Sequence, residues 1–403
     1  MNTDAREQTV NLGAGPSMLP TDVLLEASQG IIDYEGTGIG VTELSHRSST
    51  FKNLLTQAEN DLRALLDIPS DYAVLFLQGG GTEQFSATLL NMLAAHAAKH
   101  QGQGGAPPVD YVVSGAWSSK AYKEACRLYG PVRQVVDMRK NIRDASQPIP
   151  APSAWNLSSV DENPAMLYYC DNETIDGSEF PQDFIHQLPE EYRQRVPIVA
   201  DCSSNILSRP IDIRTHAVVY FGAQKNIGPS GVTIVVVRRD LVVDPDAVHT
   251  SYFPRIPTTL VYKNAVDNGS LYNTPPIFPI YVSGLVFKKL RKEGGVTRAQ
   301  ELAQAKSKLV YDMLEQHPSV FQANVAHAHF RSKMNLTFRI LDANTGEPSD
   351  AEEARFVKLC EEHKVVQVKG HRSVGGIRLS LYNALTLEMA QKVVSLMQQF
   401  VKA

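Results

Sequence analysis

Lys225 stands just past an apolar run, Ala217 to Phe221, within FGAQKNIGPSG, where small residues surround it and a glycine-rich turn follows. A lysine at the carboxyl end of a buried strand can point into the crevice where α/β sheets bind ligands, and its amine can form a Schiff base once neighbours lower its pKa. A lone lysine is ordinarily a solvated charge. The corroboration is Asp201, which closes the preceding apolar run, Pro197 to Asp201. A lysine and a carboxylate on two neighbouring strand ends suit pyridoxal phosphate, because the carboxylate keeps the pyridine nitrogen protonated and makes the ring an electron sink.

Other stations share that position after an apolar run. Leu77 to Glu83, LQGGGTE, puts three glycines and Thr82 between a strand and a helix, where close backbone amides, a helix N-terminus and a hydroxyl make a phosphate cradle. Taken alone, a glycine run is as well read as an ordinary turn. It is neither a Walker A motif nor Gly-x-Gly-x-x-Gly. Trp117, one of two tryptophans, lies in SGAWSS and can stack on a planar ring, although tryptophan is usually core. Thr174, in NETIDG, can donate to a ring oxygen or merely close a turn. His46-Arg47, His371-Arg372 and Arg378 supply three guanidinium groups near glycines, which suits a doubly or triply anionic small substrate. Singly, each is the stuff of surface ion pairs. No His-Glu-x-x-His spacing or Gly-x-Ser-x-Gly elbow occurs, so no metal site is expected.

The elements that must carry these residues are short runs apolar along nearly their whole length: Ala73 to Leu77, Tyr111 to Ser114, Met166 to Cys170, Pro197 to Asp201, Ala217 to Phe221 and Val232 to Val237. Such runs read as strands covered on both faces, and helical stretches at Glu83 to Lys99 and Ser119 to Tyr129 fall between them. The expected fold is α/β, with a mostly parallel sheet. QGQGGAPP, residues 101–108, reads as a surface connector.

Beyond residue 290 the spacing predicts long amphipathic helices, Thr297 to His317, one opened by Ser349 and Glu352 as a capping box, and Leu387 to Val401. Alternating strands at Met334 to Ile340 and Ile377 to Leu381 complete a smaller α+β unit. We therefore expect a large cofactor-binding domain over 20–285 and a small domain made of 1–19, an extended arm, with 286–403.

The net charge of -4 gives no general basic excess and argues against nucleic acid or a membrane surface as partner. No secretory leader is expected from the polar N-terminus, and no apolar run approaches the roughly 20 residues of a membrane span. Four scattered cysteines with no Cys-x-x-Cys pair suggest a reducing, cytoplasmic setting.

Taken in order, NLGAGPSMLP, GTGIGVTELSHRS, VLFLQGGGTEQF, GAWS, NETIDG, ADCSSN, FGAQKNIGPSG, LYNTPPIFPIY and GHRSVGGIRLSLYNA resemble the stations of the phosphoserine aminotransferase family, class-V members of the aspartate-aminotransferase fold, fold type I of the pyridoxal-phosphate enzymes. The likeness runs over essentially the whole chain. It implies Lys225 as Schiff-base lysine and proton shuttle, Asp201 on the pyridine nitrogen, Trp117 stacked on the ring, Thr174 at its hydroxyl, and Gly81, Thr82 and Gln224 on the phosphate. It also implies a homodimer in which Asn273 and Thr274 reach the neighbouring subunit's phosphate. Arg378 would take the substrate α-carboxylate, while His46, Arg47 and the other subunit's His371 and Arg372 would take a phosphate or side-chain carboxylate. The activity implied is amino transfer from L-glutamate to 3-phosphohydroxypyruvate, giving O-phospho-L-serine and 2-oxoglutarate in L-serine biosynthesis.

This sequence departs from the pattern at Thr82, where some relatives carry arginine, and in the longer 101–108 connector. Two rival readings compete: a cysteine desulfurase or lyase of the same class, and a nicotinamide-binding or non-catalytic Rossmann module. Against the first, no cysteine lies in a mobile polar loop; against the second, the glycine fingerprint is incomplete.

Overall fold

The apolar runs become one seven-stranded sheet. In chain order its strands are β1 (Tyr72–Leu77), β2 (Val109–Val113), β3 (Val132–Asp137), β4 (Met166–Cys170), β5 (Ile198–Asp201), β6 (Val218–Gly222) and β7 (Thr233–Arg238), arranged β1-β7-β6-β5-β4-β2-β3. The computed structural model describes residues 3–248 and 252–402. Residues 1 and 2 of the expected N-terminal arm lie outside that range.

Neighbours from β6 through β3 are parallel, and β7 alone is antiparallel, between β1 and β6. Two antiparallel pairings in succession leave β1 running the same way as β6. Thr233 accordingly faces Leu77 on one side and Gly222 on the other. The carboxyl ends of β1, β2, β4, β5 and β6 thus share one edge, and each leads directly into one of the stations picked out above. That shared edge is what brings residues from five chain segments together.

Alternation within each strand feeds two cores. Val74, Phe76, Leu167, Tyr169, Ala200, Val219 and Phe221 join the cluster on one face, and Ala73, Leu75, Met166, Tyr168, Val199, Val218 and Tyr220 that on the other. Phe221 is wholly buried, so truncating it to alanine would cost about 3 to 5 kcal/mol. The sequence reading missed β3 altogether, because VRQVVD is an edge strand whose residues are mostly part-exposed and whose charges hide the apolar pattern.

Two helices bear on the site, α1 (Gly80–Lys99) and α2 (Ala116–Leu128), while α3 (Gly295–Gln316) lies in the C-terminal third. The second begins three residues earlier than the spacing predicted, so Trp117 lies in its first turn and not on a preceding loop. A small antiparallel sheet orders β8 (Phe321–Ala323), β9 (Asn335–Ile340) and β10 (Ile377–Ser380) side by side. It packs with α3, α4 (Asp350–Glu362) and α5 (Leu387–Lys402), and the Ser349 hydroxyl caps α4 by accepting from the Glu352 amide at 3.3 Å.

The N-terminal arm is not simply extended. Asp4–Gln8 forms a short helix with Asp4 and Glu7 in its first turn, where acidic side chains favour helix. Val10 then pairs in parallel with Val365, and Val10 and Leu12 are buried among apolar residues of 310–400. The 101–104 turn adopts positive φ at Gln101, Gly102 and Gly104 and is largely exposed, as a connector should be.

Candidate active site

At the shared strand edge lies a cavity with about 410 Å³ of free space, counted out to its mouth, and Gly81, Thr82, Trp117, Thr174, Asp201, Gln224 and Lys225 all line it. Lys225 Nζ donates to the Thr174 hydroxyl at 3.5 Å and stands 5.8 Å from the centre of the Trp117 ring. Burial pushes the amine down to about 8; Arg378 adds to the effect and Asp201 opposes it. A lysine so perturbed has a substantial neutral fraction near neutral pH, which a nucleophile or base requires.

Asp201 ends β5 almost fully buried. One carboxylate oxygen accepts from the Ser203 amide at 2.9 Å and hydroxyl at 2.6 Å; the other accepts from Tyr220 at 3.0 Å. Tyr220 and Tyr168 hydroxyls lie 2.8 Å apart behind it. Burial raises the carboxyl's pKa, while these donors and Lys225 counter the rise. A positive ring nitrogen beside it would shift the balance further toward the ionised form.

Arg378 on β10 is not part of the cavity lining but is tied to it through Thr174, whose carbonyl accepts from its guanidinium at 3.3 Å. His371 is in electrostatic reach of Arg378, Arg372 and Lys120, and burial with those cations lowers its pKa. His46 and Arg47 lie outside the cavity lining, Arg47 exposed and His46 half-buried. Asn273 and Thr274 are also exposed and outside it, on a segment held by Gln78, which accepts from Asn273 at 3.4 Å and donates to the Thr274 carbonyl at 3.1 Å.

Some residues of the site escaped the sequence reading. Ser203, Ser204, Asn172 and Cys170 line the cavity, and Lys120 Nζ sits 4.1 Å over the Trp117 ring. Ser203 and Ser204 were legible in ADCSSN only as part of a motif. Lys120 gave no signal, because its closeness to Trp117 depends on the helix starting earlier. Burial holds the Cys170 thiol far above its ordinary pKa; among the cysteines only Cys126 is exposed, and that one lies on α2, away from the cavity lining. This disposition disfavours a nucleophilic cysteine.

The family profile of the class-V aminotransferases matches residues 9–393. The chain belongs to the class-V aminotransferases. Among class-V aminotransferase relatives, the phosphoserine aminotransferase of Drosophila melanogaster is 44% identical over 98% of both chains. That of Pseudomonas aeruginosa is 41% identical over 98% of this chain and 99% of its own. Of solved structures, the phosphoserine aminotransferase from Bacillus circulans subsp. alkalophilus is 37% identical with a TM-score of 0.85, over 98% of this chain and 99% of that one. A PLP-bound phosphoserine aminotransferase from Trichomonas vaginalis is 34% identical with a TM-score of 0.81, covering 97% and 99%. The α/β fold with its mostly parallel sheet is therefore the one these class-V enzymes share.

Proposed function

We propose that this chain transfers the amino group between L-glutamate and 3-phosphohydroxypyruvate, forming O-phospho-L-serine and 2-oxoglutarate in L-serine biosynthesis, with pyridoxal 5′-phosphate as cofactor. The observation that carries the reading is the Lys225 amine, lowered to about 8, in one cavity with the buried Asp201 carboxylate. The full-length similarity to phosphoserine aminotransferases supports the choice of substrate.

The cavity suits the cofactor on its own terms. Trp117 Nε1 is a buried donor with no partner among the described residues. A Cβ on Gly81 would stand 3.5 Å from the Ser203 hydroxyl and 3.9 Å from Asp201, filling the space in front of the carboxylate. Asp201 would hold the ring nitrogen, Trp117 the ring face, Thr174 the ring hydroxyl, and Gly81, Thr82 and Gln224 the phosphate at the start of a 20-residue helix. When bound, pyridoxal phosphate supplies an aldehyde that condenses with amines and a ring that withdraws electrons. Lys225 Nζ, when neutral, takes the proton from the α-carbon of the amino donor and, as ammonium, gives one to the α-carbon of the keto acid in the opposite half-reaction. Arg378 binds the α-carboxylate and fixes which bond faces that amine. His46, Arg47 and the partner subunit's His371 and Arg372, joined by Lys120, supply the cations for a phosphate or a second carboxylate. Flexible cations of this kind accommodate both anions, which a fixed cage would not.

The same reading includes a homodimer with shared sites. Leu25, Ile31, Ile32, Ile39 and Tyr272 are large apolar residues exposed in the single chain, with Ile32 79% exposed, and Tyr272 adjoins Asn273 and Thr274; such residues favour coverage by a partner. The division into a cofactor-binding unit, 20–285, and a smaller unit, 1–19 with 286–403, is supported by the burial of Val10 and Leu12 in the C-terminal core. No described helix is long and apolar enough to cross a membrane. A reducing, cytoplasmic setting accords with four free cysteines.

The test is a coupled assay with 2-oxoglutarate in which phosphoserine is compared with serine, aspartate and alanine as amino donors. Phosphoserine is expected to exceed serine by roughly 100-fold or more in kcat/KM, since a site built for an anion rejects the analogue lacking it. Equal rates with serine would sink the substrate assignment. Purified protein is also expected to be yellow and to bleach with borohydride; a colourless protein that takes up no pyridoxal phosphate would remove the cofactor.

A further inference from the structure

Thr174 and Trp117, two walls of the cavity, come from segments far apart in the chain, and one buried carboxylate joins them. Glu173, next to Thr174, is fully buried. Its two oxygens accept from the Trp117 amide at 2.8 Å, the Ser118 amide at 2.8 Å and the Ser118 hydroxyl at 2.5 Å. Asp176 from the same turn accepts from the Ala116 amide at 2.7 Å. The amides of Ala116, Trp117 and Ser118, the first three of α2, are thus all capped from the NETIDG segment. The approach is so close that a Cβ on Gly115 would come within 2.4 Å of the Glu173 carboxyl carbon. Meanwhile Thr174 faces Lys225 through its hydroxyl and Arg378 through its carbonyl.

We propose that Glu173 is a positioning residue for transamination: its charge, held on the first turn of α2, sets the Trp117 ring against Thr174, and losing that charge releases the pocket wall. The statement rests on the function proposed above for the roles of Trp117 and Thr174. Among the described residues no lysine or arginine is hydrogen-bonded to the Glu173 carboxylate. The helix N-terminus and three donors meet its charge, an arrangement that holds a carboxylate in register.

The charged groups facing it are Asp176 from its own turn, Arg139 from the Arg139–Arg143 helix and the Cys170 thiol from β4; Arg143 acts through its ion pair with Asp176. Burial first, then Asp176, raises the Glu173 carboxyl to about 7, against the lowering effect of Ser118 and Trp117. The device therefore holds above neutrality and weakens as pH falls.

Glu173→Gln keeps the shape and removes the charge. It is expected to lower kcat/KM by about 10- to 100-fold, the effect of a small misplacement in a pre-organised site, while lifting the acid limb of the rate profile. The decisive readout needs no turnover. In the full chain carrying Trp155→Phe, leaving Trp117 as sole tryptophan, emission is expected to titrate with a midpoint of about 7. Glu173→Gln should abolish that titration, and Ser118→Ala, which removes a donor to the charged form, should move the midpoint to higher pH. A titration unchanged in both variants would show that His371 or another group governs Trp117, and would overturn the proposal whether or not phosphoserine is the substrate. The Ser118→Ala arm stands alone if Glu173→Gln fails to fold.

Discussion

Lys225 and Arg378 meet on opposite groups of a single residue. Thr174 accepts from the amine on its hydroxyl at 3.5 Å and from the guanidinium on its carbonyl at 3.3 Å. Two cations are thereby held close in a mostly buried space, and the softer of them yields.

That yielding has a pH signature. Lys225 falls from 10.5 to about 8 by burial and then by Arg378. Between those values the unfolded chain carries the proton and the folded chain does not, so stability from this group rises with pH across 8 to 10.5; below 8 the cost of burying the ammonium is fully present. The rate at which the cofactor-free chain takes up pyridoxal phosphate, followed by absorbance, is expected to rise through pH 8. Arg378→Ala should shift that midpoint upward. A midpoint left in place would show that Arg378 does not act on the amine.

The arginines divide the substrate between them. Arg378→Ala is expected to weaken glutamate and 3-phosphohydroxypyruvate alike, by roughly 100-fold in KM, as for removal of one partner from a partly buried charged contact. Arg372, which is exposed in the single chain, should on replacement by alanine affect mainly the side-chain anion, and by less. Steady-state kinetics with both substrates decide this; equal, negligible changes would mean that neither arginine meets substrate.

Shared active sites can be tested by complementation. Lys225→Ala is expected to abolish transamination with the circular-dichroism spectrum unchanged, and Thr274→Ala to weaken it severely. If Thr274 serves the neighbouring subunit, mixing the two and letting subunits exchange should restore roughly a quarter of wild-type sites, since half the dimers are mixed and each holds one site free of both changes. Activity that stays at the average of the two parents would place both residues in the same subunit's site.

Lys306 on α3 illustrates a cost without an ion pair. Its ammonium is buried and donates to the carbonyls of Leu381, Tyr382 and Leu385 at 3.0, 2.8 and 2.8 Å. Burial lowers its pKa to about 7. The turn it holds also places the Asn383 amide on Asn226, the neighbour of Lys225. Lys306→Met takes a donor from three carbonyls, of which that of Tyr382 keeps the Leu385 amide at 3.0 Å, and is expected to cost about 2 to 4 kcal/mol. Urea unfolding measures it, and an unchanged midpoint would contradict the role assigned to the three carbonyls.

The legible part of this protein was local. Strands buried on both faces must be apolar throughout, so six of the seven sheet strands could be located from composition, and Lys225 and Asp201 stood out because each follows such a run. β3 and the short Asp4–Gln8 helix were not legible, since at an edge or in an arm few side chains are forced to be apolar. Trp117 was found but placed on a loop, because what starts its helix is a carboxylate from another part of the chain.

By itself, then, the order of residues determined which segments become strands, which side chains close them, and the family likeness that those stations carry in series. Tertiary structure alone decided the rest: that β1 runs with β6, that Glu173 caps a helix it does not adjoin, and that burial brings the Lys225 amine down to about 8. Burial and charge depend on what surrounds an atom in space, and a one-dimensional pattern records only what precedes and follows it.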